Sequence, residues 1–125
     1  MKRSITLIAM LIAASAAVFA QVRVSTPNIE MVLKAEKGGN LRIQYFGGRL
    51  SDADVANLDA AGIYGHDAYP AYGFNCPSEA SLAVTHMDGN MSTVLKVESV
   101  SRSDEATANV TRIRMKDTVY PFYVT

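Results

Sequence analysis

The sequence predicts an all-β fold, an antiparallel β-sandwich that carries one short helix. Apolar and polar residues alternate in about six short runs, the period expected of strands with one buried face. Turn clusters rich in Gly and Asn separate several of these runs, as at 37–40 and 87–90. Helix-capping signals occur in one segment, which begins at Ser51. A sandwich of short strands fits this pattern.

The first twenty residues are predicted to form a secretory signal peptide. A positive start, a short apolar core at 5–14 and a small-x-small site before Gln21 are the three parts of such a signal. The apolar run at 5–20 is shorter than the roughly 20 residues that span a bilayer. We therefore expect an exported protein, periplasmic or extracellular, without a stable membrane anchor.

The first part of the mature chain is predicted to form a hairpin after a lead-in. The lead-in comprises 21–28, and the domain is expected to cover 29–125. Strands are expected at 29–36 and 41–46, joined by the Gly-rich turn at 37–40. The core-facing side of this hairpin is expected to carry Ile29, Met31, Leu33, Ala35, Leu41, Ile43 and Tyr45.

A short helix is predicted at 51–62. Ser51 is a favourable N-cap, and Asp54 follows three residues later, as in a capping box. Asp52 and Asp54 suit the positive end of the helix dipole, and Gly62 is a suitable stop. A helix this short is marginal by itself, so packing must stabilise it.

The stretch 63–78 is predicted to be a structured loop with a binding surface. It contains three tyrosines, one phenylalanine, two prolines, two glycines and a histidine. Rings at this density must pack, and amphipathic rings beside Asp67 and Asn75 suit ligand contact. Cys76 is the lone cysteine of the chain and is expected to be a small buried hydrophobe.

The second half of the chain is predicted to be strand-rich. Strands are expected at 79–86, 91–100, 110–116 and 119–125. The polar segment 101–109 is interpreted as a loop, and Pro121 indicates an edge or a bulge in the last strand. Because the sequence ends within an apolar β-rich run, we expect an incomplete domain, a fragment with exposed edges and poor solubility in isolation.

Composition excludes several classes of function. The chain has 12 basic and 12 acidic residues, so it lacks the positive excess that binds nucleic acid. One Cys excludes an internal disulfide, and the two histidines, His66 and His86, lack metal-ligand spacing. We therefore expect no metal and no cofactor.

The residues alone indicate no catalytic centre. A G-x-S-x-G nucleophile elbow is absent from the sequence. Most carboxylates are interpreted as helix-capping, turn or solvated residues, namely Asp52, Asp54, Asp59, Asp88, Glu98, Asp104 and Glu105. No pair of them fits the acid and base of a glycosidase. The lack of Trp counts against an independent sugar-binding module.

Four stretches together resemble the N-terminal domain of family 36 glycoside hydrolases, the α-galactosidases. They are Tyr45-Phe46-Gly47-Gly48-Arg49-Leu50, Tyr69-Pro70-Ala71-Tyr72-Gly73, the run 79–90 (EASLAVTHMDGN), and Thr111-Arg112-Ile113 with Lys116-Asp117 and Tyr120-Pro121-Phe122-Tyr123-Val124. Their order and spacing also match. The resemblance covers 29–125, nearly the whole mature chain.

This resemblance implies a large N-terminal β-sandwich, a following (β/α)8 barrel and a small C-terminal β-domain. It implies a retaining enzyme of carbohydrate metabolism that releases terminal α-linked galactose, with two barrel aspartates as nucleophile and acid/base. This chain stops before the barrel, so no catalytic residue is assigned to it, and the chain alone is expected to be inactive. The implied partners are α-galactoside sugars, the barrel of the same enzyme and further copies in a homo-oligomer.

The resemblance also implies a candidate substrate-binding set. In some relatives the N-terminal domain reaches a neighbouring active site, and here the aromatic loop would supply Asp67, Tyr69, Tyr72 and Asn75. Many relatives continue with an acidic-aromatic-basic run, whereas this chain has 74–78 (FNCPS). An alternative is that the loop packs the sandwich against its own barrel.

The sequence therefore leaves three functions open. The first is the non-catalytic N-terminal domain of an exported α-galactosidase. The second is a free-standing exported β-sandwich that binds a ligand or partner. The third is a different glycosidase with a similar front domain, which the set of stretches disfavours.

Overall fold

The computed structural model describes residues 21–61, 65–73 and 79–125, which form two antiparallel sheets and one helix. The first sheet has the order β1 (Gln21–Ser25), β2 (Glu30–Ala35), β3 (Leu41–Gly47) and β4 (His66–Asp67). The second contains β5 (Leu95–Glu105), β6 (Ala108–Asp117) and β7 (Tyr123–Val124). The helix α1 is Asp52–Ala60. The predicted all-β class, with one short helix, is confirmed. The predicted signal peptide at 1–20 lies outside the described residues.

The two sheets share one apolar core. Its buried side chains come from both sheets and from the segment after β4, and they are Val22, Leu33, Ala35, Ala71, Leu95, Val97 and Met115. The β2–β3 turn also joins the sheets, because Gly38 N donates to Val97 O (2.8 Å) and Val97 N donates to Gly39 O (2.9 Å). Side-chain packing and backbone hydrogen bonds therefore both hold the sandwich closed at this end.

The helix covers the opposite face of the first sheet. Val55 and Leu58 of α1 pack in a second cluster around the fully buried Val32. The predicted capping box is present, since Asp54 N donates to Ser51 Oγ (3.2 Å) and Asp54 Oδ2 accepts from Ser51 N (3.4 Å). The helix ends at Ala60, and the predicted stop at Gly62 lies outside the described residues.

A β-bulge changes the predicted facing of β3. Val32 pairs with Tyr45 and Leu33 with Ile43, so Gln44 is an extra residue on β3. The strand therefore turns Tyr45 towards the helix side, where it packs beside the Val32 cluster. The prediction that Tyr45 faces the shared core is wrong, because strict alternation does not continue through a bulge. Ile29, also predicted to face the core, is 48% exposed just before β2.

Residues 21–25 are part of the first sheet. Gln21–Ser25, expected to belong to the lead-in, pair along their whole length with β2 as the edge strand β1. Val22 is buried in the core, whereas Val24 is 42% exposed. The strict alternation of polar and apolar residues in QVRVS is the sequence signal that indicates this strand.

The structure departs from several secondary-structure predictions for the second half of the chain. Residues 79–86 form no strand, and one parallel bridge joins Leu82 to Ala71. The predicted loop at 101–109 is instead the outer part of a long hairpin, in which β5 and β6 pair as far as Glu105 and Ala108. Most residues of this outer part are exposed, so its sequence carries no apolar alternation to indicate strands. The last predicted strand, 119–125, is reduced to Tyr123–Val124.

A buried ion pair anchors the first sheet to the helix. Arg23 on β1 donates Nε to Oε1 (2.6 Å) and an Nη to Oε2 (3.1 Å) of Glu30, which is 1% exposed. Glu30 Oε2 also accepts from Leu50 N (2.9 Å), just before the helix. The hydrogen bonds from Arg23, followed by that from Leu50 N, hold the pKa of Glu30 below its usual value.

Replacing Glu30 with Gln should lower the Tm on the order of 10 °C, because it removes the buried carboxylate and leaves the partly buried Arg23 guanidinium with only the exposed carboxylate of Asp52 as a charged partner. The matched control is Glu105→Gln, which removes an exposed carboxylate from its pair with Arg112 (3.0 Å). That change should move the Tm by about 1 °C or less. Thermal unfolding followed by circular dichroism checks both, and equal shifts would contradict the assigned role of Glu30.

Candidate functional site

Asp67, the predicted site residue on β4, is turned towards the interior. It lies opposite Arg42 of β3, whose Nε is 3.8 Å from Asp67 Oδ1. The side chain is 19% exposed, and Oδ1 is buried without a hydrogen-bond partner among the described residues. The nearby positive charge of Arg42 offsets part of the cost of burying this carboxylate oxygen.

A small cavity lies beside Asp67 and Tyr69. Its volume is about 20 Å³, and Asn40 and the fully buried Thr93 also contribute to its wall. This volume accommodates one water molecule and excludes a sugar ring. Asp67 therefore lies between the Arg42 guanidinium and a space too small for a sugar ring.

The other predicted site residues are distributed differently. Tyr69 packs partly against the shared core, whereas Tyr72 is 49% exposed and does not line the cavity. The Tyr72 backbone is fixed, since its N donates to Leu82 O (2.9 Å) and its O accepts from Thr93 N (3.0 Å). Asn75 and Cys76 lie outside the described residues. The structure thus brings Asp67 and Tyr69 together and leaves Tyr72 on the surface.

A second cluster, absent from the sequence-based candidates, surrounds His86. Its ring stacks on Tyr120 with centroids 3.5 Å apart and planes 9° from parallel. Phe122 approaches edge-on at 6.4 Å, and His86 Nε2 lies 3.4 Å from Thr93 Oγ1. The stack joins the turn at 87–90 to the C-terminal segment. The sequence gives no local sign of this stack, because its partner Tyr120 is distant along the chain.

The polar side of this cluster is internally satisfied. Tyr120 Oη donates to Asp88 Oδ2 (2.7 Å) and accepts from Asn90 Nδ2 (2.9 Å). The hydrogen bond to Tyr120 is the main cause that lowers the pKa of Asp88, and the same bond raises the pKa of Tyr120. Asp88 Oδ1 also accepts from Asn90 N (3.0 Å). These groups hold one another in place, which indicates a scaffold for the turn.

Asp117 fixes the neighbouring turn from inside. It is 1% exposed, and its carboxylate accepts 2.8 Å hydrogen bonds from Val94 N, Val119 N and Tyr120 N. Burial, the largest single influence, raises the pKa of Asp117, but the opposing influences, led by the hydrogen bonds from the three backbone donors, prevail and the pKa is lowered. The carboxylate thus positions Tyr120 for its stack on His86.

Within the ranges 21–61, 65–73 and 79–125, no group of three or more His, Cys, Asp or Glu side chains could hold a metal ion. In that same part of the chain, no helix combines the length and apolar character needed to cross a membrane.

Acid is expected to unfold this domain. The folded pKa values of Glu30, Asp59 and Asp88 are lowered, chiefly by hydrogen bonds to each carboxylate. At Asp117 burial is the largest single influence and raises the pKa, but the backbone hydrogen bonds act in the opposite direction and the net shift is also downward. Stability from such groups is fully present above their unfolded pKa values of about 4 and is lost as the pH falls through the folded values. The Tm should stay level from about pH 7 to 5 and fall below about pH 4. Melts across this range check the slope, and a Tm that rose in acid would contradict it.

Comparison with known proteins identifies no relative. No family model matches the chain, and neither the curated proteins nor the solved structures give a significant match.

Proposed function

We propose that this chain is the non-catalytic N-terminal β-sandwich domain of an exported, retaining α-galactosidase. The proposal rests on one observation, namely that the four stretches resembling this family occur in its order and spacing. Three of the four stretches, separated along the chain, contact one another in the structure. The all-β architecture is also the one that the proposal requires.

The contacts among these stretches are specific. The second and third run side by side, since Ser81 N donates to Pro70 O (2.9 Å) and Tyr72 N to Leu82 O (2.9 Å). The third and fourth meet where His86 stacks on Tyr120 and Tyr120 bonds to Asp88. These contacts give a structural reason why the stretches occur together in one domain. The resemblance is therefore carried by a scaffold, which suits a domain without a catalytic role.

In this proposal, catalysis belongs to a (β/α)8 barrel that none of the described residues forms. The sandwich supplies a rigid domain against which such a barrel can pack. Internal placement of Asp67 and Tyr69 favours the view that the aromatic loop supports packing. Direct sugar contact by Asp67, Tyr69, Tyr72 and Asn75 stays a prediction.

The test is to isolate the product of the native locus and measure its intact mass and its activity. We expect a mass several times 13.5 kDa and hydrolysis of 4-nitrophenyl α-galactoside. Proton NMR of the first-formed sugar should show retention of the anomeric configuration. The matched β-galactoside should not be hydrolysed. A product with the mass of 21–125 that hydrolyses neither substrate would overturn the proposal.

A free-standing exported binding module is the second candidate, and one observation favours it. The Tyr72 ring is 49% exposed on a fixed backbone, the condition for stacking on a sugar or a partner. If the short product is found, titration with galactose oligosaccharides is the next measurement. Binding that is lost in Tyr72→Ala but kept in Tyr123→Ala would support this candidate.

A further inference from the structure

A groove lies where the β2–β3 turn meets the face of the second sheet that points away from the shared core. Three lysines line it, namely Lys37 of the turn, Lys96 of β5 and Lys116 of β6. Its volume is about 340 Å³, which is within the range of small-molecule sites in proteins. We call it the lysine groove, and it is separate from the cavity beside Asp67 and Tyr69.

The lysines of this groove differ from most other basic residues in the described part of the chain. Ion pairs with carboxylates engage five others, namely Arg23, Lys34, Arg42, Arg112 and Arg114. Within 21–61, 65–73 and 79–125, no carboxylate forms an ion pair with Lys37 or Lys116. Lys96 Nζ donates to Asn40 Oδ1 (2.5 Å), a neutral amide that positions the ammonium group without cancelling its charge.

Two of these lysines face each other across the second sheet. Lys96 and Lys116 are register partners on β5 and β6, so their side chains lie on the same face. Like charges directly opposite each other destabilise a sheet. Lys37 belongs to the turn that is held against β5 by the hydrogen bond from Gly38 N to Val97 O (2.8 Å). The backbone thus keeps three positive charges together despite their repulsion.

Two carboxylates also line the groove, and both are engaged by other groups. Glu98 Oε2 lies 3.2 Å from Arg114 Nε. Asp117 is buried, and its oxygens accept hydrogen bonds from three backbone N–H groups. The positive charge of the three lysines is therefore available to a ligand.

We propose that the lysine groove binds a phosphate group, that of a soluble small molecule or of a lipid headgroup. An ammonium group is a compact charge with three N–H donors, and lysine is a common ligand of phosphate. Three such groups match the several oxygens and the double charge of a phosphate better than the single charge of a carboxylate. The chain has 12 basic and 12 acidic residues, so the attraction is local and favours one phosphate group over a long polyanion.

The experiment uses the protein expressed from the native locus and isothermal titration calorimetry with inorganic pyrophosphate. We expect binding that weakens as sodium chloride is added, since charge supplies much of the affinity. Lys37→Gln and Lys116→Gln should each weaken binding at least about tenfold, because each removes a charged hydrogen-bond donor. Lys116→Arg keeps the charge and should bind within about threefold of the wild type.

The matched control is Arg102→Gln. It removes an exposed positive charge from β5 outside the groove, and it should change binding less than about twofold. Because Lys37 lies in an exposed turn, Lys37→Gln tests the site without disturbing a strand.

Thermal stability gives a second readout, which has the opposite sign. Without phosphate, Lys116→Gln should raise the Tm by about 2 °C, because it removes the repulsion from Lys96. Saturating pyrophosphate should raise the Tm of the wild type more than that of this variant, since a ligand stabilises the form that binds it. A lysine with a structural role alone would lower the Tm equally in both conditions when it is replaced.

Vesicles of phosphatidylglycerol distinguish a lipid phosphate from a soluble one. Binding of pyrophosphate supports a soluble ligand, whereas binding to the vesicles alone supports a lipid headgroup, provided that Lys37→Gln removes it. Three results would overturn the proposal. They are no binding of either probe, equal weakening in Arg102→Gln, and a Tm that falls in Lys116→Gln without phosphate. None of them depends on the α-galactosidase assignment, because they test charge at this groove alone.

Discussion

Replacing Asp117 with Asn is expected to lower the free energy of unfolding by about 3 kcal/mol. The carboxylate is 1% exposed and accepts from Val94 N, Val119 N and Tyr120 N. Asn keeps one acceptor oxygen and places an NH2 group against a backbone N–H. At least one buried donor then has no acceptor, and the turn that positions Tyr120 loosens.

Urea unfolding of the wild type and the variant measures this loss. Asp104→Asn is the matched control, because Asp104 is exposed on the outer hairpin and should change stability by about 0.5 kcal/mol or less. The Asp117→Asn protein should also lose less stability in acid than the wild type does. An unchanged urea midpoint would show that the three bonds to Asp117 do not stabilise the fold.

Replacing Gly65 with Ala is expected to cost about 3 kcal/mol as well. Gly65 has φ +66, which L-residues with a side chain rarely adopt. An added Cβ would lie 1.8 Å from Ile43 O and 2.6 Å from Ile43 C, both backbone atoms of β3. The chain before β4 would have to move away from the sheet, and the pairing of His66 with Ile43 would be strained.

Gly48→Ala is the control for this change. A Cβ at Gly48 would meet no atom within 4 Å, and Gly48 is not among the glycines with positive φ in the described residues. We expect a shift within about 0.5 kcal/mol there. Amide exchange of β4 in Gly65→Ala should increase together with the loss of global stability. Equal effects at the two glycines would contradict the close approach of Gly65 to β3.

Local signals predicted much of the fold. Ser51 and Asp54 indicated the helix start because a capping box depends on nearby residues alone. Alternation placed Leu33 and Ala35 on the core side correctly. The bulge at Gln44 could not be read from the sequence, because it depends on how β3 pairs with β2. The outer hairpin was missed because neither of its faces is fully buried there.

The candidate site was less predictable than the fold. The sequence placed Asp67 among tyrosines but gave no sign that it pairs with Arg42 and faces inward. The stack of His86 on Tyr120 joins residues from distant segments, and neither carries a local signal of the other. Contacts of this kind follow from tertiary packing, which a single sequence does not display.

The β2–β3 turn, which joins the two sheets through its hydrogen bonds to Val97, influences the order in which the parts fold. The β2–β3 and β5–β6 hairpins each close between neighbouring segments, so each can form quickly. The hydrogen bonds between Gly38, Gly39 and Val97 require a long loop to close first, at a larger cost in chain entropy. We therefore expect docking of the two preformed hairpins to be the slow step. Substitutions at Val97 should slow folding more than those at the tip of either hairpin.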